Sequence, residues 1–139
     1  MKIFRATAVM LASVMAGSAI GQVTEPAAEK VLTINDNGAW CWFQDERVLA
    51  HKGKLLVSTV ANRQGPDGAA RDGNVEVTIF DPAAGKGNVA VLAPRFQPDD
   101  HDAAGLLILP DGRLLAMYSK HMNDRILRSR ITRSADDFT

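Results

Sequence analysis

Short apolar runs separated by turn residues, with no helical period beyond residue 21, constrain this chain more than any other feature: runs of that length bounded by turns read as strands of sheets. Asn74 to Phe80 sets Val75, Val77 and Ile79 against Glu76, Thr78 and Phe80, then breaks at Asp81-Pro82-Ala83-Ala84-Gly85 before Asn88 to Leu92 resumes. Arg47 to Ala50 passes through His51-Lys52-Gly53-Lys54 into Leu55 to Ala61, the pattern of a hairpin, and Lys30 to Ile34 is a further apolar run. The expected class is all-β.

A second unit repeats the plan: Gly105 to Leu109, the turn Pro110-Asp111-Gly112, Arg113 to Ser119, then Arg125 to Arg133. Gly53-Lys54-Leu55-Leu56 and Gly112-Arg113-Leu114-Leu115 correspond at an offset of 59 residues. Two imperfect copies of a multi-stranded unit point to β-propeller blades, whose repeats run to about 40 to 50 residues before loop insertions. The expectation is a propeller fragment of about two blades.

The turn at 110–112 gives a sharper expectation. A three-residue loop there pairs 109 with 113, 107 with 115, and so on until His101 faces His121. A two-residue Asp111-Gly112 loop shifts the register by one, and the same rim of the sheet is reached either way. Two imidazoles at one rim, flanked by Asp99, Asp100 and Asp102, are suited to proton transfer near neutral pH. The plain alternative is a pair of polar residues at a strand's wet end.

The N-terminus, basic at Met1-Lys2-Ile3-Phe4-Arg5, runs through small and apolar residues to Gly17-Ser18-Ala19-Ile20-Gly21. It reads as a secretory signal peptide over 1–21, cut after Gly21 or alternatively after Ala19, and its apolar run is too short to span a membrane. The expected division is signal peptide 1–21, linker and first strand 22–33, and partial propeller 34–139. Secretion or a periplasmic location follows, with no membrane association after cleavage. Of the 16 basic residues, Lys2 and Arg5 go with the leader, leaving 14 against 16 acidic. No basic patch of the nucleic-acid-binding kind is present. Arg125, Arg128, Arg130 and Arg133 are expected to face solvent. Cys41 has no second cysteine to pair with within the chain, so a buried structural thiol is expected, pairing outside this chain being the alternative. Oligomeric state is not legible.

Ser134-Ala135-Asp136-Asp137-Phe138-Thr139 begins like the Asp-box turn Ser-x-Asp-x-Gly-x-Thr-Trp of sialidase-type propellers, with Ser134 and Asp136 matching and Phe138 departing from the glycine. Its carboxylate and hydroxyl are expected to bond backbone groups of the turn. The expectation is therefore an N-terminal fragment, truncated at its C-terminus.

Gly38-Ala39-Trp40-Cys41-Trp42-Phe43-Gln44-Asp45-Glu46-Arg47, Asp72-Gly73-Asn74-Val75, Asp99-Asp100-His101-Asp102 and Pro110 to His121 together resemble the BNR-repeat family that includes the seven-bladed propeller ulvan lyases. The resemblance spans roughly Ile34 to Thr139. It implies a polysaccharide lyase that cleaves an acidic, uronate-containing glycan by β-elimination, with the fragment alone inactive. A base removes the uronate C5 proton, the adjacent carboxylate is neutralised, and the leaving 4-oxygen is protonated. His101 and His121 match the family's two active-site histidines. One is expected to act as base or acid and the other to bind or neutralise the carboxylate. The family's tyrosine and arginine come from later blades, and neither Tyr118 nor Arg47 replaces them; Tyr118 is expected to pack away from His121.

Gln44, Arg47 and Asp100 are the candidate substrate-binding residues; for Arg47 an ion pair with Asp45 or Glu46 is the alternative. Trp40 and Trp42 are expected in the core rather than on sugar rings, and His51 is expected to be exposed. Asp99, Asp100, Asp102 and His101 are ligand types, but no second cluster at ligand spacing accompanies them, so neither metal nor cofactor is expected. Two rival functions stand beside the lyase. One is a non-catalytic glycan-binding propeller. The other is a sialidase-like hydrolase, for which adjacent Asp99 and Asp100, on opposite faces if extended, fit poorly.

Overall fold

The computed structural model describes residues 31–41 and 46–138. The expected leader, Trp42 and Gln44 lie outside the described residues. Within them the chain is mostly β, in two antiparallel sheets. The first contains β1 (Val48–His51), β2 (Lys54–Val60), β3 (Val75–Asp81) and β4 (Lys86–Ala93), hydrogen-bonded in chain order. The second contains β5 (Gly105–Ile108), β6 (Leu114–Tyr118) and β7 (Arg128–Ile131), again in chain order.

Turn chemistry sets each register. Between β1 and β2 the loop is Lys52-Gly53, with φ of 48° and 77°, and His51 pairs with Lys54. Two successive left-handed residues match the twist of a two-residue hairpin, which is why glycine sits second. Between β3 and β4 the Asp81 carboxylate accepts the amides of Ala83 and Ala84 at 2.9 and 3.1 Å, folding the chain back so that Asp81 pairs with Lys86. The β5–β6 hairpin takes the three-residue register: Leu107 pairs with Leu115, and the Leu109 amide donates to the Arg113 carbonyl at 2.8 Å. The corresponding quartets 53–56 and 112–115 each lead into the second strand of their sheet.

Alternation decides what is buried. Leu106, Leu114, Ala116 and Tyr118 face inward and pack with Leu56, Val60, Val75 and Val77 of the first sheet. Leu107, Met117 and Ile131 point the other way and remain exposed. Burying a side chain such as Leu56 stabilises the fold by about 1.5–3 kcal/mol. Tyr118 is buried, with its ring edge-on to Phe96 at 5.3 Å, as expected of a packing residue.

The opposite face of the first sheet is buried but polar. Glu76, 1% exposed, takes a bidentate contact from Arg71 at 3.1 and 2.8 Å. Asn35 adds a hydrogen bond to Thr78 at 3.0 Å. Arg71 comes from the single-turn helix α1 (Gly68–Arg71) in the β2–β3 connection, which no sequence period announced.

Several expectations change. Val31–Ile34 forms no strand, and Val31 is 90% exposed, so no burial favours an extended pairing there. The first backbone pairing is the isolated bridge between Ala39 and Val60. Trp40 is exposed rather than in the core, with the Arg47 guanidinium 5.6 Å from its ring centre. Arg128 is half-buried, paired with Asp124 at 2.9 Å and lying over Phe96, whereas Arg125, Arg130 and Arg133 are exposed. His51 is not simply solvated: Nε2 lies 2.7 Å from Asp136 Oδ1 and its ring meets Phe138 edge-on. Asp136 therefore bonds the side chains of His51 and Lys52, where an Asp-box turn would direct it to backbone.

Candidate functional site

The β5–β6 ladder ends at Gly105 and Met117, so neither histidine is a ladder residue. Beyond it the chain before β5 tightens into a 3-10 turn over Asp100–Asp102. Asp99 is the cap of that turn: its Oδ1 accepts the His101 amide at 3.0 Å. The turn swings the His101 ring back over the segment that follows β6. The imidazoles of His101 and His121 lie 4.3 Å apart, inclined at 32°.

Asp99 joins them. Its Oδ1 is 2.8 Å from Nδ1 of His101 and its Oδ2 is 2.9 Å from Nδ1 of His121. With each Nδ1 against one oxygen of a carboxylate, the hydrogen-bond network assigns the ring proton to Nδ1 and leaves Nε2 with its lone pair. Burial pushes the Asp99 carboxyl up, but the His101 amide and the two imidazoles outweigh it and hold Asp99 below the usual carboxylate range. Asp100 Oδ1 is 3.1 Å from the same His101 nitrogen. In the 3-10 turn Asp99 and Asp100 thus approach one imidazole together, not the opposite faces an extended chain would give them.

His121 is fixed through its backbone. Its amide donates to Oδ1 of Asp102 at 2.8 Å, and its carbonyl accepts from Gln97 Nε2 at 3.1 Å. Asp102 is 1% exposed and its Oδ2 has no hydrogen-bond partner among the described residues. Burial, and secondarily the Asp99 charge, push its carboxyl up to about 6, against the lowering effect of the His121 amide.

The pair opens on a cleft of about 470 Å³ lined by Ala39, Val60, Ala61, Asn62, Pro98, Asp99, Asp100, His101 and His121. Both imidazoles are about two-fifths exposed there, at 38% and 40%. Arg47 does not line it. That side chain is buried, and its Nη1 donates to the Cys41 carbonyl at 3.0 Å, while the Cys41 amide donates to the Asp100 carbonyl at 3.3 Å. Arg47 is therefore placed to brace the backbone behind the site. Cys41 is buried.

Of the candidate residues, the structure brings His101, His121 and Asp100 together. Gln44 lies outside the described residues. Asp99 and Asp102 read from sequence only as the acidic flank of His101; the structure makes Asp99 the cap and bridge of the pair and Asp102 the acceptor of the His121 amide, and an aspartate two residues before a histidine is a signal for such a capped turn. Asp99, His101 and His121 also place three possible ligand atoms within 4.8 Å of one another. Among the described residues, no helix is long and apolar enough to cross a membrane. No protein-family model, no curated protein and no solved structure matches the chain.

Proposed function

We propose that this chain is part of a secreted polysaccharide lyase that cleaves uronate-containing acidic glycans by β-elimination. The observation that carries the reading is the histidine pair sharing Asp99 at the mouth of an open cleft. An imidazole held by its Nδ1 presents Nε2 as a base. When it takes a C5 proton, the imidazolium that forms lies beside Asp99, whose charge offsets it. The second ring, 4.3 Å away, is within reach of the same uronate; protonated on both nitrogens, with Asp99 offsetting its charge, it binds or neutralises the carboxylate, and a proton passes from an imidazolium of the pair to the leaving 4-oxygen as the C4–O bond breaks. Asp100, Gln44 and Arg47 are assigned to the substrate side, Arg47 acting through Cys41 and Asp100. Acidic polysaccharide is the partner.

The sheets are assigned as blades of a propeller, seven-bladed by the resemblance of residues 34–139 to the BNR-repeat lyases. Two features support this: each sheet runs in chain order, and the 59-residue offset falls on the second strand of both. A hydrolase fits less well, because Asp99 and Asp100 sit on one imidazole instead of facing each other across a cleft.

The test is to express the complete reading frame and incubate it with uronate-containing polymers, following ultraviolet absorbance of the unsaturated uronate. His101→Ala and His121→Ala are each expected to abolish the signal while circular dichroism stays unchanged. Full activity in both variants would end the assignment. Reducing ends without a new double bond would mean a hydrolase, and retention of polymer at unchanged length a binding module.

A further inference from the structure

The lining of the cleft carries charge of one sign, while Lys120, outside the lining, acts on Asp102. Asp99, Asp100 and Asp102 surround two imidazoles, and no lysine or arginine lines the cleft among the described residues. Asp102 is buried with one oxygen unpartnered, so the excess of negative charge extends beneath the surface as well as across it. Such a site favours a cation. Its donors are two imidazole nitrogens and a carboxylate oxygen, drawn from two separate segments, and they already lie within 4.8 Å of one another.

That spacing suits a single ion. Ligands about 2.0–2.2 Å from a common centre stand roughly 3 Å apart. Asp99 Oδ1 is 2.8 Å from Nδ1 of His101, its other oxygen Oδ2 is 2.9 Å from Nδ1 of His121, and one donor atom from each residue falls within 4.8 Å of the others. The frame is held independently of any ion, because Asp99 caps the turn that carries His101 while Asp102 and Gln97 hold both backbone groups of His121. Three protein ligands leave at least one coordination position, which opens on the cleft. Two imidazoles with a carboxylate select a borderline transition ion over magnesium or calcium, which take oxygen ligands.

We propose that Asp99, His101 and His121 form a three-ligand site for a divalent transition-metal ion of the zinc class, with its open coordination position facing the cleft. The ion draws on the same rings that proton transfer uses, so the loaded and the proton-transferring states of the pair are alternatives. The assignment rests on ligand geometry and not on the lyase reading: zinc binding without lyase activity removes only the latter.

Calorimetric titration of the chelator-stripped chain with zinc chloride tests it. The expected result is one ion per chain, with Asp99→Asn and His121→Ala each weakening binding by about tenfold or more, and no heat from magnesium chloride. Cobalt(II) is expected to give visible ligand-field bands in the native chain and none in the His101→Ala/His121→Ala double variant. Circular dichroism of each variant, matched to the parent, separates ligand loss from misfolding. Absence of zinc heat, or stoichiometry and affinity unchanged in the double variant, would overturn the proposal.

Discussion

The amide of His121 donates to Oδ1 of Asp102 across 2.8 Å, joining the end of one β-hairpin to the start of the other arm by a buried carboxylate. Because His101 adjoins Asp102 in sequence, this bond also sets the distance between the two rings. A substitution at position 102 therefore acts on the pair without touching either imidazole.

Asp102 makes stability depend on pH. Its folded carboxyl is raised to about 6 from an ordinary value of 3.8, so between those values the folded state binds more protons than the unfolded one. Stability from this group is fully present below the unfolded value and is lost as pH rises through the folded one, by up to about 3 kcal/mol. Asp102→Asn keeps an acceptor for His121 and cannot ionise. The difference in unfolding free energy between parent and variant, measured in urea with chelator present, should move in the variant's favour from pH 4 to about 7. A pH-independent difference would place the carboxyl at its ordinary value.

Among the ion pairs of the described residues, Arg71 and Glu76 form the most heavily buried, under the polar face of the first sheet. Arg71→Ala strands the Glu76 carboxylate, 1% exposed, and is expected to cost about 3–5 kcal/mol. Arg71→Ala combined with Glu76→Gln should recover part of that loss, since the stranded charge is gone. Chemical denaturation of the single and double variants checks the coupling. Equal stability of the two would show that the charge is not the origin of the cost.

Ser58, on β2, accepts the Ala104 amide at 2.7 Å just after the 3-10 turn. Both groups are fully buried. Ser58→Ala leaves a buried amide without its acceptor and is expected to lower stability by about 1–3 kcal/mol. Amide exchange should then accelerate at Ala104 more than at Leu114, on the neighbouring strand. Uniform acceleration would show that the bond does not hold the turn specifically.

Much of this arrangement is legible in the residues, and what is not has a physical reason. The run from His101 to His121 yields its strands, a turn at 110–112 that allows either of two registers, and the proximity of its histidines in both, because period-two alternation and a Pro-Asp-Gly turn are local codes. The means of contact is not local in that sense. The ladder stops at Gly105, and the rings meet because Asp99 caps a 3-10 turn, which depends on a side chain choosing a backbone amide over solvent. Helix α1 is a single turn, too short to show a period, and its purpose is visible only in Arg71 reaching Glu76. His51 reads as a surface turn residue because its partner, Asp136, is 85 positions away. Arg47 reads as a substrate-binding residue because a guanidinium suits an anion, and its bond to the Cys41 carbonyl is not legible because that group is one every residue carries.

Two glycines separate conformational from steric cost. Gly53 has φ of 77°, and a Cβ built there meets nothing within 4 Å, so Gly53→Ala is penalised only for its left-handed backbone, by about 1 kcal/mol. Gly68 has no such φ, but a Cβ there would lie 2.0 Å from the Arg63 carbonyl oxygen, which is backbone and cannot rotate away. Gly68→Ala must displace the first residue of α1, and with it the Arg71 that neutralises Glu76. Its expected cost is about 3 kcal/mol or more, overpacking and loss of the ion pair acting together. Thermal and urea unfolding of the two variants side by side test the ordering. A cost at Gly68 no larger than at Gly53 would mean that the β2–β3 connection shifts freely, and that the buried pair does not depend on the close approach of Gly68 to Arg63.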